Sequence, residues 1–308
     1  MKLVISLVLL LVFSGLLASD SPSPSTGENQ LSYKQEIDQW RAKREKRLMS
    51  DDGWLTLVGL FWLNEGENKM GSDPGNTVIF PKDRSAPVVG SLWLEKGKVR
   101  IEAKPDSGIT SDNKPVTSMA LVSDADENVD PTQLHLNSLM FYIISRADKL
   151  GVRVKDSKNP AKIHFSGLQY FPTSTDWKIE AKLVPNNPPK KIPITNILGM
   201  TQDNDSPGTL VFQKDGKTYH LDALKEEDQL FILFKDQTSG KETYGIGRFV
   251  NTDAPDAQGK VILDFNKAYN PPCAFTSYAT CPLPPPQNRL AMRVEAGEKK
   301  YTNEAVRK

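Results

Sequence analysis

Apolar residues recur along this chain at two spacings. Tyr33, Ile37, Trp40 and Leu48 fall near one side of a helix, with charged residues between them, and predict an N-terminal helix over 31–50. Beyond Trp54 the period drops to two. VRIEA at 99–103, VRV at 152–154, WKIEAKL at 177–183 and LAMRVEA at 290–296 alternate apolar with polar positions, as strands with one buried face do. LFILF at 230–234 is apolar throughout, which predicts a strand covered on both sides. Turn-forming clusters stand between such runs: SDPGN (72–76), EKGK (95–98), PNNPP (185–189), NDSPG (204–208), KDGK (214–217) and DAQGK (256–260). Short strands with frequent turns predict a mainly all-β protein of antiparallel sandwiches or barrels.

A length of 308 residues suits two domains. KDSKNPAK combines charge, Asn and Pro, and places the boundary between a β-sandwich over 51–156 and a second barrel or sandwich over 157–308. At the start of the chain, Lys2 precedes an apolar run from Leu3 to Phe13 and then small residues. This order reads as an export signal over 1–19, followed by a disordered leader over 20–30. The expected destination is the periplasm or the exterior. The apolar run is short for a membrane span, so no span is expected after its removal. Lys+Arg is 39 against Asp+Glu 38, a net charge of +1, so no global field favours nucleic acid or an anionic membrane. The basic cluster Arg41, Lys43, Arg44, Lys46 and Arg47 reads as a solvated helix face. Nothing in the pattern speaks to oligomeric state.

The densest chemistry lies in DFNKAYNPPCAFTSYATCPLPPPQNRL, 264–290, which holds both cysteines and six prolines. Each proline fixes its own φ and pushes the residue before it out of the helical region, so the block is a stiff loop with Cys273 and Cys281 at its ends. In an oxidising compartment their simplest fate is a disulfide. Reduced thiols and a metal site are the alternatives, although two thiols without further ligands do not close a zinc site, and no metal or cofactor is expected. Asp264, Asn266, Tyr269, Asn270, Tyr278, Thr280 and Asn288 have two readings. They satisfy backbone groups in an irregular loop, or they line a pocket in which Arg248 supplies a cation and Asp264 or Glu295 its carboxylate partner. Arg248 would suit a small-molecule ligand bearing a carboxylate or phosphate. The histidines are His135, His164 and His220, with the last two expected on strands facing outward, and no nucleophile elbow, phosphate loop or dinucleotide fingerprint accompanies them. The function expected is that of an exported binding or envelope-associated module, with a hydrolase-like enzyme at the same loop as the alternative.

Two resemblances bear on this. NKMGSDPGNTVIFP (68–81), SLWLEKGKVRIEA (91–103) and LNSLMFYIISRADKLGVRVKD (136–156) resemble a forkhead-associated sandwich, but Ser72 follows Gly71 with no Arg, and the expected His is missing around Ser85 to Val88. The resemblance therefore implies a sandwich without a phosphopeptide pocket. KETYGIGRFV (241–250), the proline-rich block, the Ala296-Gly297-Glu298 that follows it and DGWLTLVGLFWLNEGEN (52–68) resemble the uncharacterised bacterial family catalogued as domain of unknown function 1684. That likeness implies relatives over nearly the whole mature chain and supplies no activity.

Overall fold

The structure is a computed structural model in which residues 26–125 and 129–302 are described. The export signal read at 1–19 lies outside the described residues.

Two sheets face each other in the first half. One has six strands, β1 (Leu57–Trp62), β6 (Thr110–Ser111), β7 (Lys114–Pro115), β9 (Leu134–Leu136), β10 (Leu139–Arg146) and β11 (Lys149–Asp156), in the order β1-β11-β10-β9-β6-β7. The other has five, β2 (Gly66–Gly71), β3 (Val78–Ile79), β4 (Gly90–Glu95), β5 (Lys98–Ala103) and β8 (Ser118–Leu121), in the order β3-β2-β4-β5-β8. Lys96 and Gly97, both at positive φ, make the tight turn that EKGK announces between β4 and β5. Alternate residues of both sheets, among them Met70, Leu92, Ile101, Val152 and Val154, fill one core, where the Phe80 and Phe141 rings lie 5.1 Å apart.

The second half is one antiparallel sheet of β12 (Lys178–Thr195), β13 (Thr201–Lys214), β14 (Lys217–Glu226), β15 (Gln229–Phe234), β16 (Arg248–Asp253) and β17 (Lys260–Asp264), ordered β16-β15-β14-β13-β12-β17. Its edge strands β16 and β17 come together without pairing, which leaves a barrel open along one seam. Leu210, Leu221, Ile232, Val250, Leu263 and Phe265 fill the interior. LFILF runs along β15. Leu230, Ile232 and Phe234 point into the barrel, while Phe231 and Leu233 lie outside it under Ile192 and Ile194 of β12. The strand is therefore covered on both faces, as its unbroken apolar run predicts.

Several local expectations change. PNNPP interrupts β12 as a register shift between Pro185 and Lys190 rather than ending it, and NDSPG lies inside β13. The two irregular stretches sit opposite each other, and the Asn186 side chain donates to the Ser206 carbonyl at 2.9 Å, so each absorbs the other's distortion. LAMRVEA is extended with Leu290, Val294 and Ala296 buried, yet it joins no sheet: Leu290 and Met292 bond the backbone of Lys235 and Gln237, and from Val294 onward the Asp236 and Arg248 side chains take over. His164 follows the short helix α2 (Pro160–Ile163) and is not on a strand.

The long helix α1 spans Thr26–Leu48, so it begins inside the stretch read as leader. Tyr33, Ile37 and Leu48 are buried against the rest of the molecule. Its basic cluster is not wholly solvated: Arg41 donates to the Phe171 carbonyl at 3.0 Å and Arg44 to Glu298 at 3.0 Å, while Lys43, Lys46 and Arg47 stay exposed.

The expected disulfide is not formed: Cys273 and Cys281 are both free. The Cys273 N–H donates to Cys281 Sγ at 3.0 Å, and the loop between them is fastened by noncovalent contacts instead. Phe275 packs with Leu48 and Leu55, and the Thr276 hydroxyl donates to the Leu57 carbonyl at 3.3 Å.

Candidate functional site

The residues singled out in the proline-rich block are dispersed by the fold into different tasks. Arg248 at the start of β16 has no exposure. It donates to the carbonyls of Ala296 and, at 2.8 Å, Val294, and its guanidinium lies 3.5 Å from Asp236. Burial pulls its pKa down while Asp236 opposes that pull. Arg248 thus holds the segment from Val294 to Glu298 against the barrel and lines none of the clefts described below. Gly247 before it has φ +123, and a Cβ there would lie 2.5 Å from the Phe234 carbonyl oxygen, which explains the Gly-Arg pair in YGIGRFV.

Asn270 and Glu298 form a second buried knot. The Asn270 N–H donates to Glu298 at 2.7 Å and its side-chain amide to the Lys299 carbonyl at 2.8 Å. Burial raises the Glu298 carboxyl, and Arg44 works against it. Gly297, at φ +76, leaves no room for a Cβ, which would lie 2.4 Å from the Ala268 carbonyl oxygen, so Ala296-Gly297-Glu298 is a packing motif. Asn288 is fully buried and bonds the backbone of Asp222 and Leu233. Thr280 accepts from Arg146, Tyr278 is exposed, and Glu295 pairs at the surface with Arg293.

Asp264 and Tyr269 behave differently, because both border a cleft of about 440 Å³ over the open seam of the barrel. Asn251, Thr252 and Asp253 of β16 line one side, Ile262 and Asp264 of β17 the other, and Glu36 and Trp40 of α1 lie across the top. Tyr269 fixes the edge of β16 by exchanging both backbone hydrogen bonds with Phe249, at 2.9 and 2.8 Å. Its hydroxyl then donates to Asn251 Oδ1 at 2.7 Å, and Asn251 donates onward to Glu226 at 2.6 Å. At the floor, the Tyr33 hydroxyl lies 2.8 Å from both Asp264 oxygens, and Asn266 bonds Asp264, Tyr33 and the Ser174 carbonyl. Burial, then the Asp264 charge, pushes the Tyr33 pKa up, so it stays a donor.

Charge at the cleft is mixed. Lys267 contacts Glu36 at 2.6 Å and Lys178 reaches it at 3.9 Å. The Lys267 hydrogen bond holds the Glu36 carboxyl low despite partial burial. Two cations thus meet three carboxylates, Glu36, Asp253 and Asp264. The Trp40 indole, the Gln229 amide and the Asp253 carboxylate make no hydrogen bond among the described residues.

A second cleft, about 560 Å³, lies on the first half beside Ser111, Asp112 and His135, and no aromatic ring other than the histidine lines it. His220 is exposed on β14, and no histidine borders the seam cleft. Among the described residues no three His, Cys, Asp or Glu side chains converge to hold a metal. Tyr33, Trp40, Lys178, Asn251 and Lys267 carried no signal of a site. Helical periodicity reports Tyr33 and Trp40 as an apolar face, strand alternation reports Lys178 only as a position on a strand, and Asn251 falls just beyond the last residue of KETYGIGRFV.

The pattern of a family described as protein of unknown function (DUF1684) matches residues 163–299, which leaves the DGWLTLVGLFWLNEGEN stretch outside the match. The solution structure of an uncharacterized protein from Haloarcula marismortui is similar at 34% identity, covering 45% of this chain and 78% of that one, with a TM-score of 0.38. No curated protein matches the chain.

Proposed function

The chain belongs to the DUF1684 family of proteins of unknown function, and from that premise we propose that its barrel is the binding module of an exported protein, with the seam cleft receiving a small, hydroxyl-rich polar ligand. The observation that carries this reading is the pairing of a rigid floor with walls in which Trp40, Gln229 and Asp253 make no hydrogen bond among the described residues. Asp264, Tyr33 and Asn266 are locked to one another, so the floor loses little freedom on binding. Trp40 and Tyr269 offer rings, and Gln229, Asp253, Lys178 and Lys267 offer donors and acceptors above it. A purely anionic ligand meets Asp253 as well as the lysines. Hydroxyl groups, which donate and accept, suit both.

The test is a calorimetric titration of the full chain with neutral sugars, sugar acids, sugar phosphates and amino acids. At least one hydroxylated member binds, and Trp40→Ala and Asn251→Ala each weaken it about tenfold, on the order of 1.4 kcal/mol. Absence of binding across the panel, or binding untouched by both substitutions, defeats the reading.

A further inference from the structure

The cysteines form a second chemical centre in the proline-rich block, and neither of them lines the seam cleft. Cys273 is half-buried and Cys281 buried, so one sulfur is reachable and the other sheltered. The two residues lie side by side, with the Cys273 N–H donating to Cys281 Sγ at 3.0 Å. The Tyr244 hydroxyl donates to the Cys273 carbonyl at 2.8 Å.

One buried cation, Arg153, acts on Cys281, and a second, Lys155, lies two residues along the same strand. Arg153 and Lys155 occupy alternate positions of β11 and are 4% and 9% exposed. Arg153 bonds the Tyr142 hydroxyl at 3.1 Å and lies over the Trp54 ring, while Lys155 donates to the Asp52 carbonyl. Neither forms an ion pair among the described residues, and the Arg153 Nε has no partner at all. Unpaired buried cations are costly, and a nearby group able to become an anion offsets that cost. The contact with Cys273 and then burial push the Cys281 thiol up, and Arg153, within electrostatic reach, works against that rise. The contact with the neighbouring thiol, and then Tyr244, hold the Cys273 pKa below its ordinary value, so the first proton leaves the more exposed sulfur.

We propose that Cys273 and Cys281 are a thiol–disulfide exchange pair, with Cys273 the attacking sulfur, Cys281 the resolving sulfur, Arg153 a positioning cation and a low-molecular-weight disulfide the co-substrate. The Cys273 thiolate attacks one sulfur of the disulfide. A bond forms to Cys273, the substrate's sulfur–sulfur bond breaks, and one thiolate leaves and takes up a proton. Cys281 then gives up its proton and attacks the Cys273 sulfur, expelling the second thiolate. The protein loses two electrons and two protons, and one disulfide becomes two thiols.

The probe is oxidised glutathione added to the reduced full chain, read by intact mass and peptide mapping. Wild type passes to an internal disulfide, seen as the loss of two hydrogens without a lasting adduct, and reduced glutathione reverses it. Cys281→Ser stops at one glutathione on Cys273. Cys273→Ser forms its adduct on Cys281 at least about tenfold more slowly. Arg153→Met moves the pH profile of internal-disulfide closure upward in the chain that keeps both cysteines, where Cys281 must lose its proton, a shift that a merely structural role does not produce. Two stable adducts on wild type, equal rates for the two serine variants, or an internal bond that reduced glutathione cannot open each overturn the exchange pair, and an unmoved profile removes Arg153 from it.

Discussion

Arg248 and Asp236 are buried together, and the environment that isolates them sets the cost of separating them. Asp236→Ala leaves a guanidinium without its counter-charge and frees the Val294 N–H that Asp236 accepts at 2.8 Å. The expected loss is about 3 kcal/mol or more in urea unfolding, and a loss under about 1 kcal/mol contradicts the role given to the pair. Lys155 makes the opposite case. Burial drives its pKa down to about 8, with Asp52 opposing and Arg153 adding to the fall. In the unfolded chain a lysine titrates near about 10.4. Between about pH 8 and about pH 10 the unfolded state binds more protons, so stability rises with pH across that window; below it the penalty is fully present. Lys155→Met removes that rise, a difference on the order of 2 kcal/mol between the two ends of the window. Parallel stability curves for wild type and variant across the window refute the assignment.

The helix α1 is the element that converts a split barrel into a cleft. Tyr33 reaches the Asp264 carboxylate, Arg41 the Phe171 carbonyl and Arg44 the Glu298 carboxylate, and Ile37 is fully buried, so the helix is held by several charge-assisted bonds around one apolar contact surface. Tyr33→Phe is expected to cost about 2 kcal/mol and Ile37→Ala about 3 kcal/mol, measured by denaturant unfolding. Near-neutral values for both mean that the helix is not docked as described. Legibility is greatest where local geometry decides: β5, β11, the first part of β12 up to Leu183 and the turns at EKGK and KDGK follow from period and turn chemistry alone. The sequence misleads where partners are remote. LAMRVEA has the burial period of a strand, but period reports which side chains are covered and not what the backbone bonds. NDSPG carries every mark of a turn, yet Gly208 sits in β13 because its missing Cβ lets the Val184 carbonyl approach to where that atom would be. A breaker facing another breaker across a ribbon is invisible to any reading of one segment at a time.

Across the whole molecule, the proline-rich block ties the two halves together. Its Phe275 packs against Leu55, its Thr276 holds the Leu57 carbonyl, and its Thr280 accepts from Arg146, while the same block supplies Asp264 and Tyr269 to the seam. The block stood out in sequence as stiff and polar, and those two residues were singled out with it. The rest of the cleft comes from α1, β12, β15 and β16, elements brought together only by barrel closure, and no spacing along the chain encodes that meeting. The most direct test is amide hydrogen exchange of the full chain with and without a saturating hydroxylated ligand from the titration. The account predicts new protection confined to peptides covering 33–40, 249–253 and 260–269. Protection centred on 111–135 instead, or none at the seam, contradicts it.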